Sequence, residues 1–176
     1  MKQLGILAII LILVSLILTS IMIKGCIVGE YEYEKKYLYL WNLSDKSSTL
    51  EEKEKYITVF ANTLEKNRHD FSEYNAVWLK TPDNSFDYNL KAVQSLKDRL
   101  MEIKSMDPKS FEYQTAIQQI TAQEQGEANK LLKTIEGCWV KYHYWYIWNW
   151  IGLVIGISAF ILFCAGLICF GRLYDY

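Results

Sequence analysis

Prolines and histidines are scarce in this chain of 176 residues, which has only Pro82, Pro108, His69 and His143. Few prolines permit long helices, because proline breaks the helical hydrogen-bond ladder. Neither histidine has a glutamate three residues before it, which excludes the Glu-x-x-His pairs of a di-iron bundle. No phosphate-binding loop and no Gly-x-Ser-x-Gly motif occurs either. We therefore predict a protein that is not an enzyme and that holds no metal or cofactor.

Charge is missing from a long stretch near each end of the chain. Leu4 to Ile23 has no charged residue over 20 positions, and Ile147 to Gly171 has none over 25. Uncharged apolar runs of this length are typical of transmembrane helices. We predict such helices at residues 1–24 and 146–171, followed by a short tail at 172–176. The formal net charge of -1 and the lack of a basic stretch exclude an ordinary nucleic-acid binder.

The first apolar run has an alternative interpretation as a cleaved signal peptide or a lipoprotein signal, because Gly25-Cys26 follows it. A signal peptide has a shorter apolar core that ends in small residues. Here the bulky residues 21–23 stand directly before Lys24. An uncleaved membrane anchor is therefore the prediction.

Two transmembrane helices would put both chain ends on one side of the membrane and the middle region, residues 25–145, on the other. Lysines close to the spans are more frequent in the middle region, which favours a cytoplasmic middle. A long loop crosses the membrane largely regardless of charge, and an anchor with a short head commonly keeps its N-terminus inside. We predict a plasma (inner) membrane protein with its middle domain on the extracytoplasmic side.

Helical apolar spacing fills most of the middle region. A seven-residue repeat follows a Ser48–Glu51 capping box, and alternating three- and four-residue steps predict a further helix over 86–106. Asp107-Pro108 is typical of the start of a last helix. Residues 31–41 alternate as a strand would, but no second strand-like run could pair with them, so a helix is favoured.

Four helices with short joins predict an up-down-up-down bundle. The predicted fold class is therefore all-α, with two transmembrane helices flanking an extramembrane four-helix bundle. In organisation this is similar to the four-helix sensor domains of bacterial chemoreceptors and related kinases, in which the last helix also runs into a second span. The aromatic join at 69–87 would lie near the membrane, against either the lipid surface or the aromatic collar of the second span. A loop folded back onto its own bundle is the alternative.

Aromatic residues crowd the entry to the second apolar run. We predict a membrane-interface belt, because amphipathic rings settle at the headgroup level, formed by Trp139, Tyr142, Trp145, Trp148 and Trp150. A packed aromatic core is the alternative. No turn signal separates the last bundle helix from the second span, so we expect one continuous helix there.

Two cysteines stand at the two ends of the middle domain. Cys26 follows the first apolar run, and Cys138 precedes the second. An oxidising compartment would let them form a disulfide across the base of the bundle. Two free thiols are the alternative.

Small residues occupy one face of the second apolar run, at Gly152, Gly156, Ala159 and Gly166. Gly152 and Gly156 form a GxxxG pair, a pattern that lets membrane helices approach closely. The strip predicts helix packing, with the first span, with a second copy or with a partner.

These features predict a non-enzymatic two-span membrane protein. Its helical domain would bind a protein partner, as an accessory subunit or a sensor-like module, or would form a homo-oligomer in the lipid bilayer. The alternative is a subunit of a membrane redox or transport enzyme, in which the aromatic belt and His143 contact a lipid or a cofactor.

Overall fold

The computed structural model describes residues 2–75, 79–148 and 150–174. Within these ranges it leaves out the side chains of residues 2–4, 26, 121–127, 147–148, 150 and 172–174. The described chain is mostly helical and contains no β-strand, which confirms the all-α prediction. One isolated antiparallel bridge joins Tyr74 and Ser85.

Seven α-helices follow one another along the described chain. They are α1 (Lys2–Tyr33), α2 (Tyr39–Asp45), α3 (Leu50–Lys66), α4 (Phe86–Lys104), α5 (Phe111–His143), α6 (Trp145–Trp148) and α7 (Trp150–Tyr174). A π-helix at Glu34–Leu38 joins α1 to α2, and short 3-10 helices occupy Arg68–Asp70 and Pro82–Asn84. The chain divides into two compact units, one formed by Met1–Gly29 with Tyr144–Tyr176 and the other by Glu30–His143.

The first unit, which we call the apolar pair, contains two helices long and apolar enough to cross a membrane. The first extends over Gly5–Asp45, of which the part after Gly29 belongs to the second unit, and the other over Ile151–Gly171. Only 11% of the apolar window of each is buried. The core helix of a water-soluble protein would be mostly buried instead. Large apolar side chains face outward along both helices, including Ile6, Ile9, Ile17, Phe160, Ile161 and Ile168.

The second unit, Glu30–His143, is a helical domain in which α2 contacts α3, α3 contacts α4, and α4 contacts α5. Its core consists of apolar side chains at helical spacing, among them Leu40, Trp41, Ile57, Phe60, Leu64, Leu90, Val93, Leu100, Ile103 and Ile135. Polar contacts flank this core. Lys104 donates to Glu54 at 2.9 Å, and Gln94 donates to Glu65 at 3.1 Å.

Two helix starts differ from the sequence prediction. Thr49, and not Ser48, caps α3, because its side chain accepts a hydrogen bond from the Glu52 amide at 3.2 Å. The last helix begins three residues after the predicted Asp107-Pro108 start. There the Ser110 hydroxyl accepts a hydrogen bond from the Tyr113 amide at 3.0 Å. The Asp107 carboxylate instead accepts from the Lys109 amide, in the turn before the helix.

The junction between α5 and the second apolar helix is interrupted, so the prediction of one continuous helix is wrong. α5 ends at His143, a turn lies at Tyr144, and α6 begins at Trp145. No glycine or proline marks this break. Trp, Tyr and His all have weak helix propensity, so a run of them gives the helix little resistance to interruption.

Candidate functional sites: an apolar helix pair and a buried aromatic cluster

Small residues at seven-residue intervals line the contact between the two helices of the apolar pair. Ala8 and Ser15 are buried on α1, and Gly152, Ala159 and Gly166 are buried on α7. Seven residues make nearly two helical turns, so each set lies on a single helix face. Both helices therefore present a narrow strip of small side chains.

Direct contacts show that these two strips pack against each other. The Ser15 hydroxyl donates a hydrogen bond to the Ala159 carbonyl oxygen at 2.8 Å. A Cβ atom placed on Gly166 would lie 2.7 Å from Ile12 Cγ1 and 3.3 Å from the Ala8 carbonyl oxygen. Such close approach of two backbones is how small residues associate apolar helices. The structure thus shows pairing within the chain, one of the arrangements that the strip predicted.

Gly156 differs from the other members of the predicted strip. It is only half-buried, and a Cβ atom added to it would meet nothing within 4 Å. The GxxxG pair with Gly152 therefore does not describe the contact that the two helices make. The seven-residue spacing of Gly152, Ala159 and Gly166 identifies the contact face instead.

A cluster of aromatic rings is buried inside the helical domain, around Tyr33, Tyr37 and Trp139. The ring centroids of Tyr33 and Tyr37 are 5.6 Å apart, and those of Tyr33 and Trp139 are 6.1 Å apart. Phe71 meets Tyr37 edge-on at 5.3 Å and stacks on Phe86 at 4.3 Å. We call these five residues the aromatic cluster. It joins the π-helix, the α3–α4 loop and α5.

The predicted interface residues have different surroundings. Trp139 is 2% exposed and packs inside the aromatic cluster, as the alternative of a packed core predicts. Tyr142 and Trp145 are about half exposed, at 50% and 51%. The side chains of Trp148 and Trp150 lie outside the described residues.

Ionisable groups next to the aromatic cluster are pushed towards their neutral forms. The Tyr33 hydroxyl is buried without a hydrogen-bond partner among the described residues, and burial together with the Glu136 charge raises its pKa well above the usual value. Burial, with the nearby Glu30, also raises the pKa of Glu136. Burial raises the pKa of the Cys138 thiol to about 12. Their raised pKa values keep the Tyr33 hydroxyl and the Cys138 thiol neutral at neutral pH, so neither is an activated nucleophile.

Cys138 is a free, fully buried thiol in this structure. The side chain of Cys26 lies outside the described residues. The Cys26–Cys138 disulfide therefore stays a prediction.

The loop between α3 and α4 packs onto its own domain, which is the alternative given for this join. The Ser72 amide donates to the Cys138 carbonyl at 3.0 Å, and the Phe86 amide donates to the Glu73 carbonyl at 2.9 Å. A Cβ atom on Gly137 would overlap the side-chain amide of Asn75. Sequence reasoning missed Gly137, although a glycine inside an amphipathic helix is a signal of close packing.

An ion pair between Lys36 and Asp70 ties the π-helix to the same loop. Lys36 Nζ lies 3.0 Å from Asp70 Oδ2, and His69 Nε2 lies 3.3 Å from Asp70 Oδ1. The hydrogen bond with Lys36 lowers the pKa of Asp70 and raises that of Lys36. These groups are partly exposed, so their contribution to stability is small.

The described side chains include no group of three or more His, Cys, Asp or Glu residues that could hold a metal ion. His143 stacks on Trp139 at 4.1 Å, and its Nδ1 lies 3.1 Å from the Trp139 carbonyl oxygen, so both its ring face and one nitrogen are engaged. No family model matches the chain, and no curated protein or solved structure is similar to it.

Proposed function

We propose that this chain is a non-enzymatic two-span membrane protein whose helical domain binds a protein partner, as an accessory subunit or a sensor-like module. The observation that carries the proposal is the apolar pair. Its two helices are long enough to span a bilayer, and their apolar windows are only 11% buried. Apolar surface on this scale is unfavourable in water and favourable in lipid.

In the proposed topology, both chain ends lie on the cytoplasmic side of the plasma (inner) membrane and the helical domain lies outside. The domain is then an up-down-up-down bundle, an arrangement supported by the contacts between successive helices α2, α3, α4 and α5. Short joins, such as residues 46–49 and 105–110, favour antiparallel neighbours of this kind.

Exposed apolar side chains on the helical domain support a protein partner or a second copy as its ligand. Phe111 is 80% exposed, Leu79 is 76% exposed and Tyr88 is 55% exposed. Large exposed rings are frequent at protein–protein contacts because they bury much area with little loss of conformational freedom.

A cysteine-labelling scan tests the topology. Ser47→Cys and Lys109→Cys, which lie in the joins before α3 and before α5, should react with a membrane-impermeant maleimide added outside intact cells. A cysteine added after Tyr176 should react only after the cells are opened. Labelling of all three positions from the same side would overturn the two-span proposal.

Purification from native membranes tests the role of the helical domain. We expect a stoichiometric protein partner, or a homo-oligomer, without pigment or metal. Recovery of cofactor-bearing subunits would favour the alternative, a subunit of a membrane redox or transport enzyme. A monomeric chain recovered alone under mild conditions would contradict both forms of the proposal.

A further inference from the structure

A shallow, open groove of about 340 Å³ lies on one face of α1, and all of the side chains that line it belong to that helix: Leu13, Leu16, Ile17, Ser20, Ile21 and Lys24. All of these side chains are exposed. The Ser20 hydroxyl donates to the Leu16 carbonyl of its own helix at 2.8 Å. The groove is therefore an apolar trough with one charged group, the Lys24 ammonium, at its C-terminal end.

Lys24 has no acidic partner among the described residues. The stretch from Met1 to Gly29 contains no Asp or Glu, and neither does the second apolar helix over Ile151–Gly171. A second copy of the helix over Ile151–Gly171 would thus bring no counter-charge to this ammonium, and in a parallel, in-register copy of α1 the nearest carboxylate, Glu30, would lie six residues or about 9 Å further along the helix. An occupant that satisfies the whole groove must combine a long apolar part with an anionic end.

The length of the groove matches one leaflet of a bilayer. Leu13 and Lys24 are eleven residues apart, which is about 16 Å along an α-helix at a rise of about 1.5 Å per residue. Half of a hydrocarbon core of about 30 Å is about 15 Å. A lipid whose headgroup phosphate contacts Lys24 would therefore have its acyl chain beside Leu13 and Ile17 over the full depth of its leaflet.

We propose that this groove is a binding site for an anionic phospholipid, with the phosphate at Lys24 and one acyl chain along the trough. The inference rests on the proposed membrane function. It goes beyond that function because it names a lipid class and the side chain that selects it. Basic side chains at the membrane surface recognise anionic lipids by this electrostatic attraction.

The test uses the full chain in nanodiscs that contain equal amounts of dioleoyl phosphatidylglycerol and dioleoyl phosphatidylcholine. Native mass spectrometry after release in mild detergent measures the ratio of the two lipids that stay bound. We expect the wild type to retain phosphatidylglycerol preferentially. Lys24→Gln should lower the ratio about fivefold, the effect of about one lysine near an anionic surface. Lys24→Arg should keep it, and Lys46→Gln, which alters an exposed lysine of the helical domain, should leave it unchanged.

A second variant separates a lipid from a helix as the occupant. Ser20→Phe fills the trough and should reduce the retained phosphatidylglycerol while Lys24 stays in place. An equal lipid ratio in the wild type and Lys24→Gln would overturn the inference. So would a smaller oligomer in Ser20→Phe with unchanged lipid retention, because the groove would then hold another helix. Vesicle flotation separates the two proposals. A wild-type chain that does not float overturns the membrane function itself, whereas one that floats without lipid preference overturns only the binding site.

Discussion

The apolar pair and the helical domain are held together by two different kinds of packing. Within the apolar pair the contact consists of small side chains, and the Ser15 hydroxyl reaches a backbone carbonyl at Ala159. Within the helical domain the contact consists of large rings such as Tyr33, Phe60 and Trp139. In lipid, burying a large apolar side chain gains little, so close backbone approach provides the attraction. In water the same burial is the main favourable term.

The largest effect is expected from truncating a ring in the helical domain. Phe60 is fully buried and meets Trp41 edge-on at 5.8 Å. Phe60→Ala should lower the free energy of unfolding by about 3–5 kcal/mol, the usual cost of emptying such a site. Chemical denaturation followed by circular dichroism measures it. The neighbouring Val59 is 42% exposed, so Val59→Ala is the control, and equal losses in the two variants would contradict the assigned core.

In the apolar pair, bulk rather than truncation should be the damaging change. Gly166→Leu would force a side chain against Ile12 and the Ala8 carbonyl and should cost about 1–3 kcal/mol by overpacking. Gly156→Leu adds the same atoms where nothing lies within 4 Å. Thermal unfolding in detergent should therefore show a lower melting temperature for the first variant only. Equal melting temperatures would mean that the two helices do not pair along this strip.

At Gly137 the helical domain, like the apolar pair, depends on a residue that has no side chain. Gly137→Ala would displace the Asn75 amide, while the alanine raises helix stability by about 1 kcal/mol. We expect little change in global stability but faster hydrogen exchange at the Ser72 amide, which bonds to the Cys138 carbonyl. The Lys46 amide, bonded to Asn42 in a distant turn, serves as the internal control. Unchanged protection at Ser72 would show that the loop is not seated on Gly137.

A smaller effect should follow from removing the hydrogen bond across the apolar pair. Ser15→Ala deletes the donor to Ala159, and such bonds between membrane helices contribute about 0.6 kcal/mol on average. Ser20→Ala is matched to it, because that hydroxyl bonds only within its own helix. Steric-trap unfolding in detergent can resolve the difference. A larger loss for Ser20→Ala would reverse our assignment of the contact face.

The smallest effect is expected at Glu136, whose charge is partly screened because the residue is only half-buried. Burial, followed by the charges of Glu30 and Glu34, raises its pKa above the unfolded value, while Lys133 lowers it. The folded domain then binds this proton more tightly than the unfolded chain, so stability falls as the pH rises through the raised pKa.

Glu136→Gln removes that pH dependence. The variant should be more stable than the wild type at alkaline pH, and the advantage should shrink as the pH falls through the carboxyl range. Denaturation midpoints across the pH range measure this, with exposed Glu112→Gln as the control. An advantage that instead grows in acid would have the wrong sign for a raised pKa.

Local patterns in the sequence predicted the helices, and contacts between distant parts of the chain decided the rest. The start of α4 at Phe86 follows from its apolar spacing, and charge-free runs identify the two apolar helices. The burial of Trp139 depends on Tyr33, far away in the chain. The close contact at Gly137 depends likewise on the conformation of the loop that carries Asn75. Neither contact can be predicted from the residues that lie next to it in the sequence.

The π-helix at Glu34–Leu38 determines which side of this helix its buried aromatic rings face. Tyr33, Tyr37 and Trp41 are buried at steps of four residues, and in an α-helix each such step overshoots a full turn by about 40°. The wider π turn absorbs this excess, so that all three rings stay on one side. Winding the same five residues as a regular α-helix would instead rotate α2 by about 100° relative to Tyr33, the turn of one residue. The π turn thus keeps Tyr33 and Tyr37 of the aromatic cluster on the same side of the helix as Trp41, which packs on Phe60 of α3.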